Sequence, residues 1–155
     1  LSGSIAHLNA EFDEFSAGPC PNSGTSPSSD NGDGTCDLSG ANMPYAADMS
    51  GNFDADIRRP LSDSIDFNAG LNLSYSDDYF TDGALHEAAI QDAYTKVGAR
   101  IGLAASDGKW SVSLIGQNLS NEITTTTSQS YGGAYLGYAA APRTIMLQAK
   151  FRLAD

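Results

Sequence analysis

No lysine or arginine occurs before Arg58, whereas nine carboxylates precede it, from Glu11 to Asp56. Over the whole chain 8 basic residues face 19 acidic ones, for a formal net charge of −11. That balance excludes nucleic acid as a partner, because phosphate neutralisation needs clustered Lys and Arg. It also excludes a polybasic anchor on a membrane surface. Charged residues of both signs are scarce, at 17%, where a soluble domain typically carries about 25%. No apolar run reaches the roughly 18 residues of a transmembrane helix. A helical membrane protein is thereby excluded, but not a membrane β-barrel, whose alternating strands are only weakly apolar.

Groups that do chemistry are equally sparse. His7 and His86 are the only histidines, and no GxSxG, P-loop or HExxH pattern occurs. An enzyme is not expected. His7 reads as polar lining in mid-strand and His86 as a solvated loop residue. Cys20 and Cys36 are the only cysteines, and the CxxC spacing of metal sites is absent. Both lie in a stretch rich in Ser, Gly, Pro, Asn and Asp. A Cys20–Cys36 bridge in an extracytoplasmic setting is expected, with two free thiols as the alternative. The length is that of one domain with one modest core. The chain opens on Leu1 without a basic n-region or apolar h-region, so it reads as a mature or internal fragment.

What is present is period two. Ala6, Leu8, Ala10 and Phe12 alternate with His7, Asn9, Glu11 and Asp13. Phe53, Ala55 and Ile57 alternate with Asn52, Asp54 and Asp56. Ile65, Phe67, Ala69, Leu71, Leu73 and Tyr75 oppose Ser64, Asp66, Asn68, Gly70, Asn72 and Ser74. Val97 to Leu103, Trp110 to Gln117 (with Ile115 out of phase) and Thr144 to Leu153 repeat the pattern. Six strands are expected. Arg58–Ser62 and Ser106–Lys109 read as short turns, the second carrying the Asp-Gly hairpin signal. Residues 15–49, 76–94 and 118–143 read as long loops, with a turn of helix at most within Ala84–Ala93. Short turns at one end and long loops at the other describe an outer-membrane barrel. Aromatics near the strand ends, Phe12, Tyr75, Trp110 and Phe151, agree with it. A soluble sandwich also alternates, but usually has short turns at both ends.

Asp107-Gly108-Lys109-Trp110, the strand after it and Asn118-Leu119-Ser120-Asn121-Glu122 resemble the last barrel segment of TonB-dependent outer-membrane receptors. Pro142-Arg143 and the closing strand extend the likeness, and Asp37-Leu38-Ser39-Gly40 with Met43-Pro44 resembles the stretch before an inward-running strand. The resemblance implies an all-β, antiparallel up-and-down transmembrane barrel of about 22 strands, of which residues 1–155 supply about the last six. Six strands alone are too few to close, since the smallest such barrels use about eight. Plug and remaining strands, in the same or a second chain, are implied partners. So are outer-membrane lipid and a TonB-type energy transducer acting through the missing plug. The implied location is the bacterial outer membrane and the implied function TonB-energised uptake of a scarce solute, such as a siderophore, vitamin or sugar. Both termini and the short turns would face the periplasm. Residues 16–48 would be a disulfide-pinned extracellular loop.

Three groups are candidates for binding. Asp30, Asn31, Asp33 and Asp37 alternate as oxygen ligands do in a calcium loop, but Gly40 stands where the EF-hand pattern needs Glu. A solvated turn-rich loop is the plainer reading, and no cofactor is otherwise expected. Tyr131, Tyr135 and Tyr138 in a Gly-rich loop would stack on a ligand or anchor at the interface. Lys96, Arg100, Ser111, Ser113 and Gln117 would line the lumen. A secreted calcium-stiffened β-rich binding or assembly module is the alternative, and a small soluble β-sandwich lectin a further one. The long loops hold Asp30, Asp33, Asp37, Asp48, Asp77, Asp78, Asp82, Glu87, Asp92 and Glu122 and no basic residue ahead of Pro142-Arg143. An acidic outer rim is therefore expected.

Overall fold

The computed structural model describes residues 1–21, 29–131 and 134–152. In chain order the strands are β1 (Ser2–His7), β2 (Ser29–Asp30), β3 (Cys36–Asp37), β4 (Met49–Ser62), β5 (Ile65–Ser76), β6 (Tyr79–Phe80), β7 (Ile90–Gln91), β8 (Tyr94–Ala105), β9 (Trp110–Gln117), β10 (Thr125–Tyr131), β11 (Ala134–Ala139) and β12 (Thr144–Phe151). One 3₁₀ turn, Glu87–Ala89, precedes β7. The six expected strands form one antiparallel sheet in the order β1-β4-β5-β8-β9-β12. Each sheet strand therefore pairs with its neighbour along the chain, once the loop ribbons are set aside. The sheet does not close on itself among the described residues. β1 and β12 each pair on one side only, and β4 lacks a partner on the β1 side beyond Asp54.

The alternation of side chains gives the sheet two unlike faces. Directly paired residues share a face, so one face runs Phe53–Leu73–Val97 and Ile57–Ala69–Ile101–Leu114–Leu147. Trp110 stands opposite Phe151 at its lower end. The other face runs Asp54–Asn72, Arg58–Asn68–Gly102–Ser113–Gln148 and Asp66–Ala104–Ser111–Lys150. The apolar face is uncovered, with Ile101 52% and Leu147 72% exposed. Arg58 on β4 and Lys150 on β12 border one cavity, although four strand spacings, about 19 Å along the sheet, separate them. The sheet therefore curves around its polar face.

The core lies away from the sheet. Leu38 and Leu85 are fully buried together with Cys36 and Ala41, and Phe12, Phe15, Cys20 and Phe80 pack around them. All of these are loop or loop-ribbon residues. Of the buried apolar residues among those described, only Ala105 belongs to the sheet.

Several expectations need correcting. Arg58–Ser62 is not a turn: it is the lower part of β4, and the reversal falls at Asp63–Ser64. Pro60 is tolerated there because β4 is unpaired on one side and a bulge follows between Pro60 and Ser62. β1 ends at His7, so Leu8, Ala10 and Phe12 are not strand residues. Its outward residues are Gly3, Ile5 and His7, paired with Phe53, Gly51 and Met49. His7 thus sits at the rim of the apolar face, with Nδ1 3.0 Å from the carbonyl of Asp48. The Asp-Gly turn forms where expected: Gly108 has φ +75° and its N–H donates to Ala105 O at 2.9 Å. Leu153, expected at the end of the closing strand, lies outside the described residues.

Candidate functional site

The three long connections fold back on one another at the end of the sheet opposite the short turns. The first is tied by the Cys20–Cys36 disulfide, with Cα atoms 4.9 Å apart across 16 residues. Closing a loop of that length contributes roughly 3 kcal/mol in the chain-entropy picture. The acidic residues beside it build turns. Asp30 Oδ1 accepts from Gly32 N at 2.7 Å. Asp33 Oδ1 accepts from Thr35 N at 2.9 Å and Thr35 Oγ1 at 2.6 Å. Asp37 Oδ1 accepts from Ser39 N at 2.9 Å and Ser39 Oγ at 2.6 Å. Asn31 Nδ2 donates to Ser16 O and Thr35 Oγ1. The Thr35 hydroxyl, then its amide, hold Asp33 below the usual carboxylate range, and the Ser39 hydroxyl and amide do the same for Asp37.

Asp30, Asp33 and Asp37 are not brought together. Among the described residues, the one group of three metal-ligating types with converging atoms is Cys20, Asp30 and Cys36. Its two sulfurs are already bonded to each other, so the group offers an ion one carboxylate and no thiolate.

The second and third loops interlock through buried polar contacts. Thr81 Oγ1 donates to Ala89 O at 2.7 Å and lies 2.8 Å from Ser128 Oγ. Gln91 Oε1 accepts from Thr125 N at 2.6 Å, and Lys96 Nζ donates to Thr124 Oγ1 at 2.7 Å. Tyr45 joins the first loop to both, donating its amide to Phe80 O at 2.8 Å and its hydroxyl to Thr81 O at 2.7 Å, with the same hydroxyl 3.0 Å from Thr127 Oγ1. Burial, then a hydrogen bond with Tyr94, pushes the Tyr79 phenol up to about 12. His86 is 7% exposed, not solvated as expected. Its Nδ1 is bonded to Asp82 Oδ2, and Asp82 Oδ1 accepts the His86 amide at 3.1 Å. The ring meets Tyr135 edge-on, centroids 5.2 Å apart.

The three tyrosines are divided between two faces of the β10–β11 ribbon. Tyr131 pairs with Ala134, two and four residues from Leu136 and Tyr138, so Tyr131, Leu136 and Tyr138 share one exposed face. Tyr135 points the other way, against His86. The single Asp82–His86 spacing of four was the only sequence hint of the buried pair. The Thr81–Ser128 contact, 47 residues apart, had none.

The polar face holds the second set of candidates. Arg100, Ser111, Ser113 and Gln117 all lie on it, as does Lys96. Arg100 Nη2 reaches Asp56 Oδ1 at 2.9 Å across β5. Gly70 makes this crossing available: a Cβ there would stand 2.6 Å from Asp56 Oδ1. Arg58 Nη2 meets Asp66 Oδ2 at 2.6 Å. No family model, curated protein or solved structure matches the chain.

Proposed function

We propose that this chain is a section of the wall of an outer-membrane receptor of the TonB-dependent type, with its apolar face to lipid, its polar face to the lumen and its interlocked loops outside the cell. One observation carries this: the sheet's apolar face is uncovered while, among the described residues, the packed core lies in the loops. A soluble sandwich buries that face under a second sheet, and among the described residues the other sheets are two-stranded loop ribbons. Lipid is the solvent such a face fits. β4, β5 and β8, at 14, 12 and 12 residues, exceed the roughly 9–11 needed to span a bilayer. The free edges of β1, lower β4 and β12 fit a sheet that continues on both sides. Each unpaired backbone group in lipid costs several kcal/mol, so further strands must meet them.

In this reading, plug and remaining strands complete the pore, and a periplasmic transducer acts on the plug. A scarce solute binds plug and outer loops, and force on the plug opens its path. The Tyr131, Leu136 and Tyr138 face of the β10–β11 ribbon is this section's exposed contact for an apolar or ring-bearing solute. The chain supplies no catalytic step. The test is behaviour in solution and in membranes. Expressed protein should stay with the outer membrane through alkaline carbonate extraction and need detergent to dissolve. A monodisperse, cooperatively unfolding monomer in plain buffer would sink the proposal and favour a secreted β-module.

A further inference from the structure

The two short turns are neighbours. Asp63–Ser64 joins β4 to β5, Ser106–Lys109 joins β8 to β9, and Ser106 N donates to Ser64 O at 3.0 Å. Both border one cavity of about 610 Å³. Its floor is Ala105, which is buried. Ala105 pairs directly with Ile65, and the β8–β9 register sets Trp110 on its other side. A methyl group between two large side chains leaves a notch in the last row of the apolar face. Strands that continue the sheet would add beyond β1 and β12, so they leave this interior notch open.

Three charges border the notch. Lys109 Nζ meets Asp107 Oδ2 at 3.0 Å, and Asp107 Oδ1 accepts the Lys109 amide at 3.1 Å. An ammonium has three donors, so Lys109 keeps others for a second oxygen anion. Asp63 is exposed, and no cation answers it among the described residues. One cation with spare donors, one unanswered carboxylate and an apolar wall correspond to the phosphate, ammonium and acyl chain of a zwitterionic lipid. A headgroup of net negative charge would meet two carboxylates against one cation. Given the lipid-facing wall proposed for this chain, on which the site rests, Ile65 and Trp110 begin their strands at the level where acyl chains give way to headgroups, a position that suits tryptophan. We propose that this notch holds a membrane phospholipid with a primary-ammonium headgroup, its phosphate on Lys109, its ammonium on Asp63 and its first acyl carbons along Ile65 and Trp110. A primary ammonium gives Asp63 a charge-assisted hydrogen bond.

Trp110 borders the notch and is the only tryptophan, so its emission reports occupancy. The full chain in detergent micelles is titrated with phosphatidylethanolamine brominated on its acyl chains, and separately with phosphatidylglycerol carrying the same chains. The ethanolamine lipid should reach half-quenching at a mole fraction about fivefold lower. Asp63→Asn should abolish that difference, and its continued quenching by phosphatidylglycerol shows that the variant still folds. Asp78→Asn, beyond the opposite end of β5, should leave the difference intact. Soluble phosphoethanolamine at the same concentration should not restore emission, because the acyl chain is part of the fit. Equal midpoints for the two lipids, or a difference that survives Asp63→Asn, would overturn the site and leave the lipid-facing wall standing. Displacement by soluble phosphoethanolamine would also overturn it, since the pocket would then need no membrane lipid. No quenching by either lipid would overturn the site and the wall together.

Discussion

A charge placed at the middle of the apolar face should be far more costly than the same charge one residue along. Leu71 stands six residues above Ile65, the first residue of β5. At about 3.3 Å per residue and a tilt near 45°, that is roughly 14 Å above the inner end of the strand, close to the centre of a hydrocarbon core about 30 Å thick. Leu71→Lys is therefore expected to cost about 2–4 kcal/mol. Asn72 projects from the opposite face, where its Nδ2 donates to Asp54 Oδ1 at 2.8 Å. Asn72→Lys removes that hydrogen bond and sets a cation beside the same carboxylate, so its net effect should stay within about 1 kcal/mol. Tyr75→Lys, on the apolar face near the outer end of β5, should cost only about 0–1 kcal/mol. Equilibrium urea unfolding of the protein in phospholipid vesicles measures all three. Equal costs for Leu71→Lys and Asn72→Lys, or a larger cost for the second, would refute the assignment of faces.

Other outcomes follow from the loops. Cys20→Ser with Cys36→Ser should open the first loop to protease while leaving the sheet folded, for a loss of roughly 3 kcal/mol in loop stability. His86→Ala leaves the buried Asp82 carboxylate without its ring partner and should destabilise the interlocked loops by about 1–3 kcal/mol, read as faster amide exchange at Thr81 and Ser128. Because the folded pKa values of Asp33 and Asp37 are depressed, their contribution to loop order is complete at neutral pH and is lost as pH falls through those lowered values. An NMR titration should show Thr35→Ala moving the Asp33 midpoint upward, and an unmoved midpoint would contradict the assigned cause. Added calcium should leave the melting temperature unchanged, since Asp30, Asp33 and Asp37 each serve a separate turn. A rise reversed by chelator would show that they rearrange around an ion.

Strand content was legible wherever one face is uniformly apolar, because period two then has a single physical cause. β5, β8 and β9 lie as their alternation predicts, and the meander follows from it. Sequence signals misled past the end of β1 and in the lower part of β4. Leu8, Ala10 and Phe12 alternate, yet Phe12 packs into the loop core with Leu38, so apolar period two did not distinguish a sheet face from a loop core. Arg58, Arg59 and Pro60 look like a turn, but an edge-exposed section of strand tolerates charge and proline. The loop contacts were illegible for a different reason. Tyr45–Thr81 and Thr81–Ser128 join residues 36 and 47 positions apart, and no local pattern encodes such a pairing. The lower cavity of the polar face was illegible too: Lys150 and Arg152 are two positions apart, but only curvature brings Arg58 to the same cavity.

The most direct measurement asks whether the apolar face touches lipid. In a Trp110→Phe background, Leu71→Trp and Asn72→Trp each give a single fluorophore, and brominated phospholipids quench emission on contact. A lipid-facing wall predicts strong quenching of Leu71→Trp by bromines deep in the acyl chains and little quenching of Asn72→Trp. Equal quenching of the two, or quenching of Asn72→Trp alone, would contradict it.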